Sequence, residues 1–589
     1  MSRFDPHSWC DDAQPAQCHL DLELEVDFEA RVLRGRAVIK LKVPSSGALD
    51  LDGRGLVIDS MTTDDGRAIP WSVAETEDVR GDRLHLDLPT GTKAIVVEYA
   101  TGADAVALGW LDPPQTAGGV HPFLFSQCQP IHARTMVPCQ DTPRHRVTYT
   151  AAITVPSPLR AVMSAADAGS GDTGDGRTIW RFDMPQAIPT YLLALAVGNL
   201  AKSDLGPRSC VYAEPETLEK AAWEFAEVEH MIASAEKLFG PYEWDRFDML
   251  VMPPAFPYGG MENPRLTFLT PTLIAGDRSQ VNVVAHELAH SWTGNLVTNA
   301  TMEDFWLNEG FTVYAERRIL EEIYGTEYAD IQGVIRRNAL QVNLDAFGPG
   351  HKYTHLRTKL EGVNPDDMYS LVPYEKGAQF VILIEKAVGL ERFDAFLLDY
   401  IKTFHFQSIT TDEFLAFMED RLPGVYEQID GPSWVDGPDM PANEHPIASA
   451  RVDRIRDLAA GWAEGARPEA AVTETWSPEE WQLYLQDLPR KLSTEDCSWL
   501  DETFGLTARG NYEVLVEWLT IAAGSAFDPA LPRVREVLTD VGRMKYLKPL
   551  YSALMSNEAT PPFAREIFAE VQESYHPLSR GSVAGLLKV

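Results

Sequence analysis

Residues 286–290 read His-Glu-Leu-Ala-His, and Glu309 follows nineteen positions after the second histidine. His286 and His290 are four residues apart, so on a helix they project from the same face. Two neutral imidazoles so placed bind zinc, and Glu309 can supply a third ligand from a second helix. Three protein ligands leave a fourth position open, which is typical of a catalytic site. We therefore predict one Zn²⁺ per chain, with Glu287 placed to reach a water on the metal as a general base.

The segments around these ligands predict two helices. Residues 279–285 lead into the histidines without Gly or Pro, which predicts one helix running to about Gly294. Residues 304–311 contain the glutamate ligand and open a second helix that runs to about Tyr324. Glu316 lies seven positions beyond that ligand on the same face. It either hydrogen-bonds a ligand histidine or remains a surface carboxylate.

The composition limits the class of protein and the compartment that we expect. The chain has 589 residues, of which 45% are hydrophobic and 23% charged. These values are ordinary for a globular protein and leave room for about three or four domains. A run of about 18 apolar residues is absent, so no membrane span is expected. Residues 1–10 lack the apolar stretch of a secretory signal, and the six scattered cysteines form no disulfide framework. We therefore expect a cytoplasmic protein, and a monomer.

The net charge decides which partners are excluded. Lys and Arg number 51 against 87 Asp and Glu, which gives a net charge of −36 and a pI near 4.7. A surface that negative repels phosphate backbones and anionic lipid, so we expect no nucleic-acid partner. The acidic surface either keeps the protein soluble or draws cationic substrates toward a cleft.

The first third of the chain has a period of two. In Leu20–Phe28 apolar and acidic residues alternate without a break, which predicts a strand with one buried and one wet face. Further strands of the same pattern are predicted at Arg36–Val43, Arg83–Leu88, Lys93–Tyr99 and Val147–Val155. We therefore expect an N-terminal domain of antiparallel sheets over residues 1–205.

The remainder is mainly helical and divides at a proline-rich segment. Residues 206–430 contain the zinc motif and are predicted to form the catalytic domain, with a capping box at Thr410 opening a late helix. Residues 431–446 contain four prolines and predict a stiff linker. Residues 447–589 are predicted to form an all-α stack of short helices. The expected fold class is a multidomain α+β protein.

Several motifs resemble one enzyme family. Residues 258–263 read Tyr-Gly-Gly-Met-Glu-Asn, and Glu262 stands 24 positions before His286. The other blocks that carry the resemblance are Phe125–Gln129, Ser291–Thr298, Val372–Gly377 and Gly542–Lys545. Together they resemble the gluzincin aminopeptidases, the family of aminopeptidase N and leukotriene A(4) hydrolase, and most closely leukotriene A(4) hydrolase and its bacterial aminopeptidase relatives. The resemblance covers essentially the whole chain and implies a thermolysin-like α/β catalytic domain.

The resemblance implies roles for residues around the zinc. Tyr374 is expected to stabilise the oxyanion, although a tyrosine in this context also serves as plain packing. Glu262 is expected to bind the free α-amine of a peptide, with Gln129 as a second contact; the alternative for Glu262 is a solvated strand-edge charge. The remaining members of the expected substrate-binding set here are Gln127, Tyr258, Gly259, Gly260 and Met261.

Two further pairs are expected at the substrate by resemblance. Arg543 and Lys545 hold a peptide's carboxylate, or are merely a basic pair on the surface. Asp366 and Tyr369 match positions that serve epoxide opening in leukotriene A(4) hydrolase, and Asp366 also suits a basic first side chain. Pro130 departs from the smaller residue expected after Gln129, which affects the shape of the pocket.

Four functions compete on this basis. The first is a zinc aminopeptidase that acts on short peptides. The second is an epoxide hydrolase that acts on an epoxy fatty acid in the same site. A non-catalytic peptide-binding protein is disfavoured by the retained ligands and general base, and a thermolysin-like endopeptidase is disfavoured by Glu262.

Overall fold

The alternating stretch at the N-terminus forms the centre of a large sheet. The structure is a computed structural model that describes residues 5–589, so the first four residues of the segment used for the secretory-signal expectation lie outside it. The elements of this domain are β1 (Gln17–Asp27), β2 (Val32–Gly53), β3 (Val57–Thr63), β4 (Trp71–Glu77), β5 (Gly81–Ala100), β6 (Leu108–Leu111), β7 (Phe123–Ser126), α1 (Ala133–Met136), β8 (Arg146–Pro156), β9 (Arg160–Met163), β10 (Ala166–Asp172), β11 (Arg177–Pro189) and β12 (Leu195–Gly198).

The strands make two sheets with a shared apolar core. The larger has the order β10-β11-β8-β1-β2-β5-β3, with β4 also on β5, and the smaller has the order β6-β7-β12-β9. Leu20, Leu22 and Leu24 of β1 are buried, and the acidic residues between them are more exposed, as the alternation predicts. The pairing is antiparallel except between β1 and β8, which run parallel.

Two of the predicted strands are one. Arg83–Leu88 and Lys93–Tyr99 both lie in β5, which continues through the Pro-Thr-Gly segment between them. The partner strand β2 is also long, so β5 stays paired along its length. The register between the two strands shifts on both sides of Ser45, and this bulge accommodates the break in the alternating pattern.

The catalytic domain combines a mixed sheet with helices. Its elements are β13 (Ala201–Asp204), β14 (Cys210–Ala213), α2 (Pro215–Glu224), α3 (Val228–Phe239), β15 (Asp248–Val251), β16 (Gly260–Met261), β17 (Leu266–Leu269), α4 (Val281–Ala289), β18 (Val297–Asn299), α5 (Trp306–Tyr324), α6 (Thr326–Phe347), α7 (Gly377–Val388), α8 (Leu390–Thr403), β19 (Gln407–Ile409), α9 (Thr411–Arg421), α10 (Val425–Gln428) and α11 (Gly431–Val435). The sheet order is β13-β14-β15-β17-β16. Its first strand therefore precedes residue 206, where the sequence predicted this domain to begin.

The start of the predicted linker belongs to the catalytic domain. Gly431–Val435 is helical, and Trp434 and Val435 are fully buried in the core shared with the catalytic helices. Pro432 sits in the first turn, where a missing N–H costs no helical hydrogen bond. The prolines predicted a stiff, solvent-exposed linker, but the Trp-Val pair is buried in the catalytic core. We therefore propose that residues 431–435 belong to the catalytic domain rather than to the linker.

The C-terminal domain is a stack of helices with its own core. Its helices are α12 (Ala450–Ala460), α13 (Ala470–Thr473), α14 (Pro478–Asp487), α15 (Thr494–Phe504), α16 (Tyr512–Gly524), α17 (Leu531–Asp540), α18 (Met544–Met555), α19 (Pro561–Val571) and α20 (Pro577–Leu587). Ile331, Val334 and Ile335 of α6 are buried in this core, so one catalytic-domain helix is shared with the stack. Among residues 5–589, no helix has the length and apolar character needed to cross a membrane.

Candidate active site

A cavity of about 1240 Å³ lies where the three domains meet. Gln129 of the N-terminal domain, His286 of the catalytic domain and Arg543 of the C-terminal domain all line it. The structure brings together every site residue named from the sequence, and these residues are Gln127, Gln129, Tyr258, Gly259, Gly260, Met261, Glu262, His286, Glu287, His290, Glu309, Glu316, Asp366, Tyr369, Tyr374, Arg543 and Lys545.

The three predicted zinc ligands converge on one point. His286 lies on α4, His290 caps that helix, and Glu309 lies in the first turn of α5. The two imidazole Nε2 atoms are 3.2 Å apart, and each is 3.5 Å from Oε2 of Glu309. Two ligands of a tetrahedral zinc, each about 2.0–2.1 Å from the metal, stand about 3.3 Å apart. Oε2 of Glu309 is buried and has no hydrogen-bond partner among the described residues. The three residues therefore fit a zinc ion in both donor type and spacing.

The other ring nitrogen of each histidine is held by the protein. Nδ1 of His286 lies 3.0 Å from Oε2 of Glu316, and Glu316 is buried rather than on the surface. Nδ1 of His290 lies 3.2 Å from the carbonyl oxygen of Thr293 and 3.1 Å from Oγ1 of Thr312. Such contacts fix the ring orientation and leave Nε2 free for a metal.

Three carboxylates share this buried space. Burial raises the pKa of Glu287 to about 8. Burial and the nearby carboxylates of Glu309 and Glu287 raise the pKa of Glu262 well above its usual value. Like charges so close cannot all ionise without a cation between them. A divalent ion on the histidines, and an ammonium group at Glu262, would each lower these pKa values.

Two glycines make room for side chains. A Cβ on Gly260 would lie 2.1 Å from Oε1 of Glu287, and a Cβ on Gly259 would lie 2.8 Å from Nη2 of Arg543. The sequence predicted that these glycines let the backbone approach a substrate. In the structure, the absence of side chains at these two glycines leaves space in the cavity for Glu287 and Arg543.

The residues expected to recognise an amine form one cluster. Nε2 of Gln129 donates to Oε1 of Glu262 at 2.9 Å, and Nδ2 of Asn295 donates to the Glu262 carbonyl oxygen at 2.7 Å. Gln127 donates through Nε2 to the sulfur of Met261 at 3.0 Å, and its Oε1 is buried with no partner among the described residues. Glu262 is 4% exposed and is therefore not a solvated strand-edge charge. Asn295 lies in a quoted motif, but nothing in its spacing predicted this contact.

Tyr374 occupies a π-helical turn, Val372–Lys376, between α6 and α7. Its ring stacks on that of His286, with centroids 6.1 Å apart and planes 24° from parallel. Its hydroxyl donates to the hydroxyl of Tyr369 at 3.2 Å. The ring contact brings Tyr374 beside the zinc ligands.

The π-helical turn is anchored by ion pairs to the buried Glu375, which the sequence did not predict. Glu375 accepts from Arg317 of α5 and, at 2.9 Å, from Nε of Arg336 of α6. Burial disfavours the ionised form of Glu375, but Arg317 and Arg336 outweigh it and lower its pKa. Glu375 therefore ties the turn that carries Tyr374 to two helices.

Asp366 faces the cavity with a histidine behind it. Nε2 of His132 lies 2.7 Å from Oδ2 of Asp366, and His132 is 8% exposed. Pro130, which the sequence marked as a departure, follows Gln129 through a cis peptide bond and also lines the cavity. His132 is 234 residues away from its partner, so no local pattern could have predicted the pair.

The basic pair of the C-terminal domain is joined by an acid. Oε1 of Glu513 lies 2.7 Å from Nζ of Lys545 and 3.8 Å from Nη1 of Arg543. Burial works against ionisation of Glu513, but Lys545 and Arg543 outweigh it and lower its pKa to about 2. Arg543 also donates to Thr272 and Tyr546. Lys545 is thus already paired, and the sequence did not reveal Glu513.

Comparison with known proteins places this geometry in a family. The model for the peptidase family M1 domain matches residues 223–430, and that for the peptidase M1 N-terminal domain matches residues 16–192. The model described as leukotriene A4 hydrolase, C-terminal, matches residues 476–587. The chain is 36% identical to leukotriene A-4 hydrolase of Xenopus laevis, over 98% of each chain. It is 35% identical to leucine aminopeptidase 2 of Aspergillus terreus, over 96% of this chain and 95% of that one.

Solved structures agree with this assignment. Yeast LTA4 hydrolase in complex with bestatin superposes with a TM-score of 0.93 and 32% identity, over 100% of this chain and 98% of that one. An M1 zinc metallopeptidase from Deinococcus radiodurans, 23% identical, shares the fold with a TM-score of 0.57 over 74% of this chain and 96% of that one. The chain belongs to the peptidase M1 family of zinc hydrolases and has the three-domain architecture that ends in a leukotriene A4 hydrolase-type C-terminal domain.

Proposed function

We propose that this enzyme is an aminopeptidase that removes N-terminal residues from short peptides. The observation that carries the proposal is the placement of Glu262. Its carboxylate lies with the carboxylate of Glu287 and the imidazole of His290 in a group whose ligand atoms are all within 4.8 Å of one another. An α-ammonium group paired with Glu262 would set the first peptide bond beside Glu287 and the zinc ligands. An endopeptidase has no use for a buried carboxylate at this position.

The chemistry divides among a few side chains. His286, His290 and Glu309 would hold the zinc ion, which would supply Lewis acidity toward a water molecule and a carbonyl oxygen. Glu287 accepts the proton of the attacking water and returns it to the leaving amine. The Tyr374 hydroxyl donates a hydrogen bond to the oxygen that becomes negatively charged.

The remaining polar residues position the peptide. Gln129 holds Glu262 and, together with the unpartnered Oε1 of Gln127, surrounds the amine. Arg543, with Lys545 beside it, receives a carboxylate farther along the peptide. A site that holds both ends of its substrate favours short peptides over long chains. We also propose that the enzyme acts as a cytoplasmic monomer, with peptides rather than nucleic acids as partners.

A second activity, hydrolysis of an epoxy fatty acid, is favoured by one observation. The cavity that holds Asp366 and Tyr369 also borders an apolar cluster built on Ile131, Met302 and Leu360. An apolar wall of this kind suits an acyl chain. Chelator-sensitive conversion of a lipid epoxide to a diol would support this second activity.

The primary test is hydrolysis of arginyl-, alanyl- and leucyl-p-nitroanilide by the zinc-loaded protein. We expect chelator-sensitive release, and a loss of roughly 10²–10⁴-fold in kcat for Glu287→Gln with zinc content retained. N-acetylated versions of the same substrates serve as the control, because blocking the amine removes the group that Glu262 binds. Equal rates on free and acetylated substrates would contradict the aminopeptidase proposal.

A further inference from the structure

Arg336 is a cavity-lining cation that the roles described so far leave unused. It lies on α6, and its side chain is 29% exposed. Its Nε donates to Glu375, and within residues 5–589 neither Nη atom has a hydrogen-bond partner. The Nη atoms of Arg336 are also accessible. By contrast, Nη1 of Arg317 is buried and has no hydrogen-bond partner among the described residues. One edge of the guanidinium is therefore fixed while the other faces the cavity.

The surroundings of Arg336 place it on the substrate path. Glu316, beside the zinc ligand His286, and Tyr369, beside Tyr374, lie near enough to interact electrostatically with it. Lys545 of the C-terminal domain also lies near enough to interact electrostatically with Arg336. Arg336 follows Ile335, which is buried in the core of the C-terminal domain, and it lines the same cavity as the zinc-site residues, where the later residues of a bound peptide would run.

The other cations of the cavity are mostly neutralised. Lys545 pairs with Glu513, and Arg490 pairs with Glu517 at 3.2 Å. Arg543 is held by Thr272, Tyr546 and Glu513. Lys548 is exposed on α18. Arg336 combines a fixed orientation with two free N–H₂ groups, the arrangement that binds a carboxylate bidentately.

We propose that Arg336 binds a carboxylate of the peptide substrate and is an anion-binding residue separate from the Arg543–Lys545 pair. The proposal rests on the aminopeptidase function. The carboxylate is either the C-terminus of a short peptide or an acidic side chain after the scissile bond. Because Nε of Arg336 also holds Glu375, the same residue links substrate binding to the turn that carries Tyr374.

The test compares peptides with and without a carboxylate. The substrates are a tripeptide ending in Ala-Ala with a free acid, the same tripeptide as its amide, and an amide with Glu in the third position. For Arg336→Gln we expect KM for at least one carboxylate-bearing peptide to rise about tenfold or more, with KM for the Ala amide little changed. The peptide that responds identifies the source of the carboxylate.

Arg317→Gln is the matched control. It removes the other partner of Glu375, and Arg317 does not line the cavity. If a variant acts only by weakening the ion pairs of Glu375, kcat should fall equally for the free-acid and the amide peptides. Arg317→Gln measures how large that fall in kcat is. Arg336→Lys keeps the positive charge but loses the paired N–H₂ groups of the guanidinium, so we expect a KM between those of the wild type and Arg336→Gln. This variant keeps the proposal testable if Arg336→Gln does not fold.

Three results would overturn the proposal. The first is an equal effect of Arg336→Gln on acid and amide peptides, and the second is no effect on either. The third is a carboxylate-selective loss in Lys548→Gln with none in Arg336→Gln. If the zinc-loaded wild type cleaves none of the three peptides, the aminopeptidase proposal itself fails, and this inference fails with it.

Discussion

At the scale of one residue, the proposed aminopeptidase function depends most on Glu262. Glu262→Gln keeps the shape of the side chain and a hydrogen-bonding partner for Gln129 but removes the negative charge. A hydrogen bond to a charged group contributes about 1.5–3 kcal/mol, so we expect kcat/KM for free-amine peptides to fall roughly 10–100-fold. Zinc content should not change, because His286, His290 and Glu309 form a complete ligand group without Glu262. Steady-state kinetics and metal analysis check this together, and parallel losses of zinc and activity would argue against amine recognition.

The residues that converge at the candidate zinc site could be predicted from the sequence, and those that orient them mostly could not. His286 and His290 sit on one helix, so a spacing of four encodes their geometry. Asn295, His132 and Glu513 act through partners 33, 234 and 32 residues away. Such contacts depend on how elements pack, and one sequence contains no periodicity that reports them.

A pair of glycines controls the contact of α5 with α7 at the scale of elements. A Cβ on Gly377 would lie 2.8 Å from Cα of Gly310, and a Cβ on Gly310 would lie 2.8 Å from the Gly377 backbone. Glu309 precedes one glycine, and Tyr374 lies in the turn before the other. We expect Gly377→Ala to push the helices apart, which costs roughly 1–3 kcal/mol of stability and weakens zinc binding.

The matched control for that change is Gly581→Ala on α20. A Cβ there meets no atom within 4 Å, so this variant should gain about 0.5–1 kcal/mol from helix propensity. Thermal unfolding and zinc titration of both variants check the prediction. An unchanged zinc affinity in Gly377→Ala would show that the helix contact does not position the ligands.

Local signals predicted the ends of helices where a capping side chain or a glycine is present, as at Thr410 before α9 and at Gly325 after α5. The capping boxes at Thr410 and Ser477 are present with both of their hydrogen bonds. The zinc helix ends at Ala289 instead of near Gly294, because the chain turns at His290 to form the loop before β18. The π-helical turn at Val372–Lys376 has no local signature, since ion pairs from α5 and α6 hold it.

The order of the domains could be predicted from the change of hydrophobic period, and their limits stay a prediction that the packing of the elements refines. We propose limits near residues 200 and 436, because β13 joins the catalytic sheet and α11 joins the catalytic core. Sequence patterns report whether a face is apolar, but not which neighbour covers it. The helix α6 contributes to two cores, and this arrangement becomes visible only when the packing of the domains is known.

At the scale of the whole molecule, we expect a histidine at the contact between the first and last domains to make stability depend on pH. His576 caps α20, with Nδ1 accepting from the backbone N–H of Leu578 at 3.3 Å, and its ring lies 5.8 Å from that of Phe125 in β7. Burial lowers the pKa of His576 to about 4 from 6.5. The folded state therefore binds this proton less readily than the unfolded chain. The resulting stability is complete above pH 6.5 and is lost as the pH falls toward 4.

We expect this residue to contribute on the order of 3 kcal/mol to the pH dependence of unfolding, at about 1.4 kcal/mol per pH unit. Protonation of Nδ1 also removes the acceptor that caps the helix. His576→Asn retains a capping group without titrating, so its Tm should fall less steeply between pH 6.5 and 4 than that of the wild type. His230→Asn, at an exposed position on α3, is the control and should follow the wild type. Calorimetric scans across this range decide the matter, because parallel Tm curves for wild type and His576→Asn would show that the interface does not respond through His576.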